Sequence, residues 1–326
     1  NFSTALGFYS TASNTYAGAF GYYANAAGQG SLAMGYQASA SSNYATAVGA
    51  QASANNTYAS SFGRGAAAGG PNSVAIGYGA TTGASATDAT ALGKSANATG
   101  INSMALGVSA AASGATSVSI GYTSSASNSY STAMGYNAQS SGQYATAIGY
   151  QSVASGNYSA SLGSSAQATN SNALALGNGS IASGTNSVAM GYQSQSQSDK
   201  SIAIGSFYSY SYLIPIINLG KGDDGGETKG IDDLLPIRPT TLSSTFTRTF
   251  SRANIANGQY SVAVGNGNLA QNGGLVFGSN SDAIKSGALA LGTSASANET
   301  NSAAVGYNAT ANGIYSVAIG NNVTAN

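Results

Sequence analysis

The sequence predicts an all-β fold, a parallel β-roll solenoid of about twenty short turns. Three observations carry that expectation: a fixed period, a strict alternation of small and large side chains, and glycine or asparagine at set points of each period. The segment from Gln143 to Gly156, Gln-Tyr-Ala-Thr-Ala-Ile-Gly-Tyr-Gln-Ser-Val-Ala-Ser-Gly, is one period of fourteen residues. The glycine that closes its apolar pentad recurs from Gly7 to Gly77, from Gly93 to Gly205, and at Gly265, Gly278, Gly292, Gly306 and Gly320. The spacing is fourteen throughout, except for sixteen before Gly93, thirteen before Gly278 and sixty before Gly265. The chain therefore divides into repeats over 1–205, an insertion over 206–253 and resumed repeats over 254–326.

Each element of the turn follows from the alternation. The residue before the landmark glycine is large and apolar in every turn, as at Leu6, Phe20, Met34, Val48, Ile76 and Ile148. The residues two and four before it are Ala, Ser or Gly, with Val276 the one exception, and such strict alternation marks a strand. The third and fifth residues after the glycine are again mostly small (Ala38 and Ala40, Ala110 and Ala112), with a polar residue usual between them, which gives a second, shorter strand. Corners are expected at the landmark glycine and near the seventh residue after it, where Asn14, Gly28, Gly100, Gly114, Gly142, Gly156 and Gly184 tolerate left-handed backbone. Successive turns would stack as parallel ladders about 4.8 Å apart, so twenty turns make a rod of roughly 95 Å.

Only small residues let the two strands approach, so the interior is expected to be a thin seam without a ligand cavity. The large residues then point outward in a column that a soluble monomer would not leave bare. Burying twenty of them is worth roughly 40 kcal/mol per chain as an upper bound. Ile76, Leu106, Ile120, Ile148, Leu176, Met190, Ile204, Leu291 and Ile319 are the candidate oligomer interface. A further outward column is expected five before the glycine. In many turns it holds Tyr where the residue two further on is small or Thr (Tyr44 with Thr46, Tyr144 with Thr146), and Asn where that residue is large (Asn72 with Val74, Asn172 with Leu174), while Tyr260 with Val262 and Tyr315 with Val317 break the pattern. That coupling suggests a shared packing volume. Eight more tyrosines follow the landmark glycine directly, among them Tyr22, Tyr36, Tyr122, Tyr136 and Tyr150, and stacked turns would set them in axial ladders.

Composition removes most other functions. Charged residues are 6% of the chain and sum to zero, which leaves no basic field for nucleic acid or acidic lipid. The absence of Cys, His and Trp removes disulfides, thiol nucleophiles, zinc fingers and the commonest general base. Carboxylates are too few and too scattered for an enzyme, and no cofactor is expected. No apolar run approaches the roughly 20 residues that span a bilayer and no basic-then-apolar leader opens the chain, so a signal or anchor is expected outside this segment. Ice binding needs a regular threonine array, whereas Thr46, Thr90, Thr132 and Thr146 are scattered.

The insertion has a different chemistry. It holds ten of the eighteen charged residues and three of the four prolines. Tyr208, Tyr210 and Tyr212 alternate with serines, and Phe246, Arg248, Phe250 and Arg252 with Thr and Ser, so both flanks read as strands of a hairpin-like excursion. Its centre, Gly220 to Gly230, reads as a loop, without the Gly-Lys-Ser/Thr ending of a phosphate loop. Asp223, Asp224, Glu227, Asp232 and Asp233 could offer oxygens to calcium, but their spacing fits neither an EF-hand nor a calcium β-roll. The candidate partner-binding residues are Tyr208, Tyr210, Tyr212, Asp223, Asp224, Glu227, Arg248 and Arg252. The insertion would either clamp a neighbouring chain or contact a receptor.

The hexapeptides Asn72-Ser-Val-Ala-Ile-Gly77, Asn186-Ser-Val-Ala-Met-Gly191, Tyr260-Ser-Val-Ala-Val-Gly265 and Tyr315-Ser-Val-Ala-Ile-Gly320, with their further copies, closely resemble the head repeat of YadA-like trimeric autotransporter adhesins. The resemblance covers nearly all of the chain outside the insertion. It implies a left-handed β-roll and a homotrimer with the Val and Ile face inward. It also implies display on a bacterial surface and binding to host matrix proteins, cell-surface receptors or other surfaces. Tyrosine replaces the usual Asn in many turns, and the coiled-coil stalk and membrane barrel of a complete autotransporter are not in this segment. Two alternatives share the repeat: a purely structural extracellular filament and a phage or viral receptor-binding fibre.

Overall fold

The computed structural model describes residues 2–206, 208–215 and 245–326. Most turns repeat one plan of a three-residue strand, a corner, a shorter strand and a second corner. Around Gly149 the strands are Thr146–Ile148 and Val153–Ala154. The longer strands stack into one parallel sheet of 20 strands. The register holds each residue against its equivalent one period on: Thr146 against Ala160, Ala147 against Ser161, Ile148 against Leu162. The short strands form a second parallel ladder in the same way, with Val153 between Gln139 and Gln167. Parallel pairing needs a connection of about a dozen residues, and one coil of the solenoid supplies it.

The core is the alanine seam expected from the alternation. Ala145, Ala147 and Ala154 are fully buried, as are their counterparts in the inner turns, and Val276 takes the same place without exposure. Serines that stand in for alanine four before the glycine turn their hydroxyls back onto the corner: Ser103 donates to Gly100 O at 2.7 Å and Ser187 to Gly184 O at 2.6 Å. A buried hydroxyl is thus satisfied locally, which is why Ser and Ala interchange there.

The corners differ from the expectation in one respect. Most are four-residue turns closed by a backbone bond, as in Ala45 N to Ser42 O at 3.2 Å and Ala52 N to Gly49 O at 3.2 Å. The left-handed residue is the third of each turn. At the first corner that is the second residue after the landmark glycine, such as Gln37, Asn137 or Gln151, at φ of 54°, 52° and 53°. At the other corner it is the column five before the next glycine, with Tyr44, Tyr144 and Asn172 at 57°, 57° and 56°. This column is a turn position, not a strand position. Its Asn content follows from the tolerance of Asn for positive φ, as in type II turns.

Gly28, Gly100, Gly114, Gly142, Gly156 and Gly184 are therefore not the left-handed residues. They serve close approach, since a Cβ on Gly142 would lie 1.9 Å from Gly156 O. Where Asn stands at this position its side chain is used instead: Asn128 accepts from Ser129 N at 2.9 Å and donates to Ser141 O at 3.3 Å. The landmark glycines do need their backbone, with Gly149 at φ 132°.

The irregular periods leave the ladders intact. The sixteen-residue turn keeps Val74 against Thr90 and Thr81 against Asn97, the two extra residues being taken up in the corner between them. The thirteen-residue turn keeps Val262 against Leu275, with Asn272 and Gly273 both at positive φ. Across the insertion Ile202 pairs with Val262 and Gln195 with Ile255, so the next turn lands in step. The insertion itself opens as a hairpin, an antiparallel pair of Tyr208–Pro215 and Thr245–Arg252.

Candidate functional site

Three surfaces stand out on the roll. The first is the column before the landmark glycine. Direct register stacks Met134, Ile148, Leu162, Leu176, Met190, Ile204 and Val264 along the axis, with the insertion causing no gap. Ile76, Ile148, Leu176 and Ile204 remain 37–38% exposed, and Leu106, Ile120, Met190 and Leu291 are half-buried. Ile319 reaches 69% because it is the last rung of the ladder. The residues two earlier on each strand, such as Val74, Leu174 and Val188, are half-buried and form a parallel column on the same face. The exposure left on each side chain is worth about 1 kcal/mol on further burial, roughly 20 kcal/mol over the rod and half the ceiling read from sequence. Stacking within the ladder already covers the rest.

The second surface is aromatic. Tyr122, Tyr136 and Tyr150 form a ladder beside the landmark glycines, with ring centroids 5.2 Å apart at each step. Tyr130, Tyr144 and Tyr158 form another at the opposite corner, at 4.7 and 4.9 Å and within 8° of parallel. The second ladder stands on left-handed backbone, φ 59°, 57° and 58°, which a bulky residue adopts rarely. Stacking within the ladder, on two neighbours for Tyr144 and on one for Tyr130 and Tyr158, is worth about 0.5–1.5 kcal/mol per pair and offsets that strain.

The third is the hairpin. Its register sets Tyr208 opposite Arg252, Tyr210 opposite Phe250 and Tyr212 opposite Arg248, all of one strand parity, with Ser209, Ser251, Ser211 and Thr249 on the other. Five of the eight candidate partner-binding residues thus share one parity of the pair. Asp223, Asp224 and Glu227, with the rest of the loop, lie outside the described residues.

Where the hairpin leaves the roll, the corner is rebuilt by side chains that sequence reasoning missed. Ser206 Oγ donates to Asn266 Oδ1 at 2.8 Å. Asn254 and Asn268, fully buried, occupy the position that is usually Ala. Asn254 Nδ2 donates to Ala263 O at 2.8 Å and to Ile204 O at 3.1 Å, and its Oδ1 accepts from Asn268 N at 3.2 Å. Asn268 Nδ2 donates to Val264 O and Gly278 O, both at 2.9 Å, and its Oδ1 accepts from Ser281 N at 3.0 Å. Ser281 Oγ continues the series by donating to Gly292 O and accepting from Ala295 N. The longer strands of these turns, Val262–Asn266, Leu275–Ser279 and Leu289–Thr293, run through the glycine corner. The available signal was Asn in an alanine column directly after the insertion. Lys200 and Tyr260 add a link across the same gap, Nζ donating to the phenol oxygen at 3.0 Å, which raises the lysine pKa.

A family model described as the YadA head domain repeat matches residues 1–24, 26–52, 54–80, 84–110, 112–138, 140–164, 154–180, 182–207, 253–271, 283–309 and 297–322. The chain belongs to the YadA head repeat family. The matches stop at the hairpin and resume after it, as the ladders do. Each model unit holds two fourteen-residue turns, in agreement with the register of the roll. No curated protein matches the chain. Membership in the YadA head family makes this an adhesin-type segment of the kind found in trimeric autotransporters, a structural rather than an enzymatic family.

Proposed function

We propose that this segment is an extracellular adhesive head in which three copies of the chain pack their apolar columns about a common axis. The observation that carries the reading is the uninterrupted axial stack of partly exposed Leu, Ile, Met, Val and Phe before the landmark glycines. Closed symmetry about one axis suits a long continuous apolar face, and membership in the YadA head family supports the number three. Ile76, Leu106, Ile120, Ile148, Leu176, Met190, Ile204, Leu291 and Ile319 lie in that interface.

The rod then presents its corners and its hairpin to a matrix protein, a cell-surface receptor or another surface, and binds without chemistry. Tyr208, Tyr210, Tyr212, Arg248 and Arg252 of the hairpin strands, with Asp223, Asp224 and Glu227 of the loop, form the contact. Individually weak contacts gain from three linked copies. Binding of the segment to immobilised matrix proteins and to cells, with and without 207–252, tests this. Loss of binding on deletion with the oligomer intact supports the hairpin contact; unchanged binding moves the contact to the roll.

A further inference from the structure

The tyrosine ladders are laid out for covalent chemistry that the adhesive role does not use. The chain carries 21 Tyr and no Cys, Trp or His, so a one-electron oxidant meets phenols without the indole or thiol that would otherwise quench a tyrosyl radical. Six of those phenols form two three-rung ladders. Centroids are 4.7 Å apart for Tyr130 and Tyr144, 4.9 Å for Tyr144 and Tyr158, and 5.2 Å for each step of Tyr122, Tyr136 and Tyr150. Interplanar angles are 3–13°, and exposures run from 43% to 60%. Each ring is thus open to oxidant and held against its partner. The coiled backbone fixes that proximity, so coupling within the ladder replaces a bimolecular encounter with an intramolecular one.

We propose that neighbouring turns of this roll are stitched by dityrosine bonds along these ladders when hydrogen peroxide acts through a haem peroxidase. The peroxidase takes one electron from each of two phenols, and each phenol releases its hydroxyl proton. The two radicals form a carbon–carbon bond between ring positions ortho to oxygen. Each coupled ring carbon then gives up its proton and the hydroxyl is restored. Two tyrosines therefore lose two hydrogen atoms in all, and peroxide is reduced to two waters. The product closes a loop of one turn, a function that disulfides serve in chains that carry cysteine. The chemistry lies within one chain and does not depend on trimer formation.

Peroxide with a haem peroxidase, applied to the purified segment at high dilution and followed by proteolysis and tandem mass spectrometry, tests this. The expected products are peptide pairs lighter by two hydrogens that join Tyr130 or Tyr158 to Tyr144, and Tyr122 or Tyr150 to Tyr136. Tyr144→Phe, which keeps the stack, should remove both links of its own ladder and leave the Tyr122–Tyr136–Tyr150 links at wild-type yield. Tyr78 lies between Arg64 and Lys94 in its column, and Tyr307 between Thr293 and Asn321, so both are internal controls. Links at Tyr78 or Tyr307 as abundant as those within the ladders, or no link in folded protein under conditions that couple free tyrosine, would overturn the proposal.

Discussion

At the scale of single residues, two kinds of position hold the roll in shape. Gly149 has φ 132°, and a Cβ there would lie 2.4 Å from Gly163 O, so no rotamer relieves the clash. Gly149→Ala should cost on the order of 3 kcal/mol or more, measured by denaturant unfolding, because two stacked turns must part. The tyrosines at left-handed corners answer differently. Tyr144→Asn relieves backbone strain and loses two ring contacts, terms of about 1 kcal/mol each that oppose, so stability should change by less than about 1 kcal/mol. Tyr144→Val adds β-branching to the same backbone and loses the rings, and should cost about 2 kcal/mol in thermal unfolding. The tyrosines also explain why sequence alone does not set this column at a turn. A bulky aromatic is an unexpected turn residue, and only its exchange with Asn in the same column, at Asn72, Asn102 and Asn172, carries the signal of positive φ.

At the scale of elements, the strands were legible because their pattern lies along the chain. Ala147 inside and Ile148 outside follow from side-chain alternation alone. The corner after the insertion was not legible, because it is made by contacts between residues that stacking brings together. Asn268 bonds to Gly278 and Ser281 in the next turn, and nothing in the local sequence around Asn268 specifies that. Asn268→Ala should cost about 1–3 kcal/mol locally and speed hydrogen exchange at the Ser281 amide, with turns before Gly205 unaffected. The in-step register of Ile204 and Val264 also predicts that the hairpin is dispensable to the roll. Deleting 207–252 together with Ala253→Asn restores the fourteen-residue period and supplies a residue suited to positive φ. The circular dichroism of the remaining roll should be unchanged. Loss of structure over 254–326 would show instead that the hairpin holds the two segments together.

At the scale of the whole molecule, the roll is a rod with an alanine interior and an apolar exterior stripe. The seam contributes little area per turn because its side chains are small, so in the proposed assembly the stripe would add stability through association. The stripe is legible in the sequence, the proposed number of chains is not, and the single chain shows the reduced area that is left to bury. A charge placed in the middle of the stripe is costly only when another chain covers it. Ile148→Glu should therefore leave the monomer's fold intact and shift the population toward lower mass, whereas Gln143→Glu at a corner should not. The most direct measurement is the solution mass of the unaltered segment by light scattering over a range of concentrations. A discrete species of three chains is the predicted result, and the mass of a single chain at every concentration would contradict assembly through the apolar column.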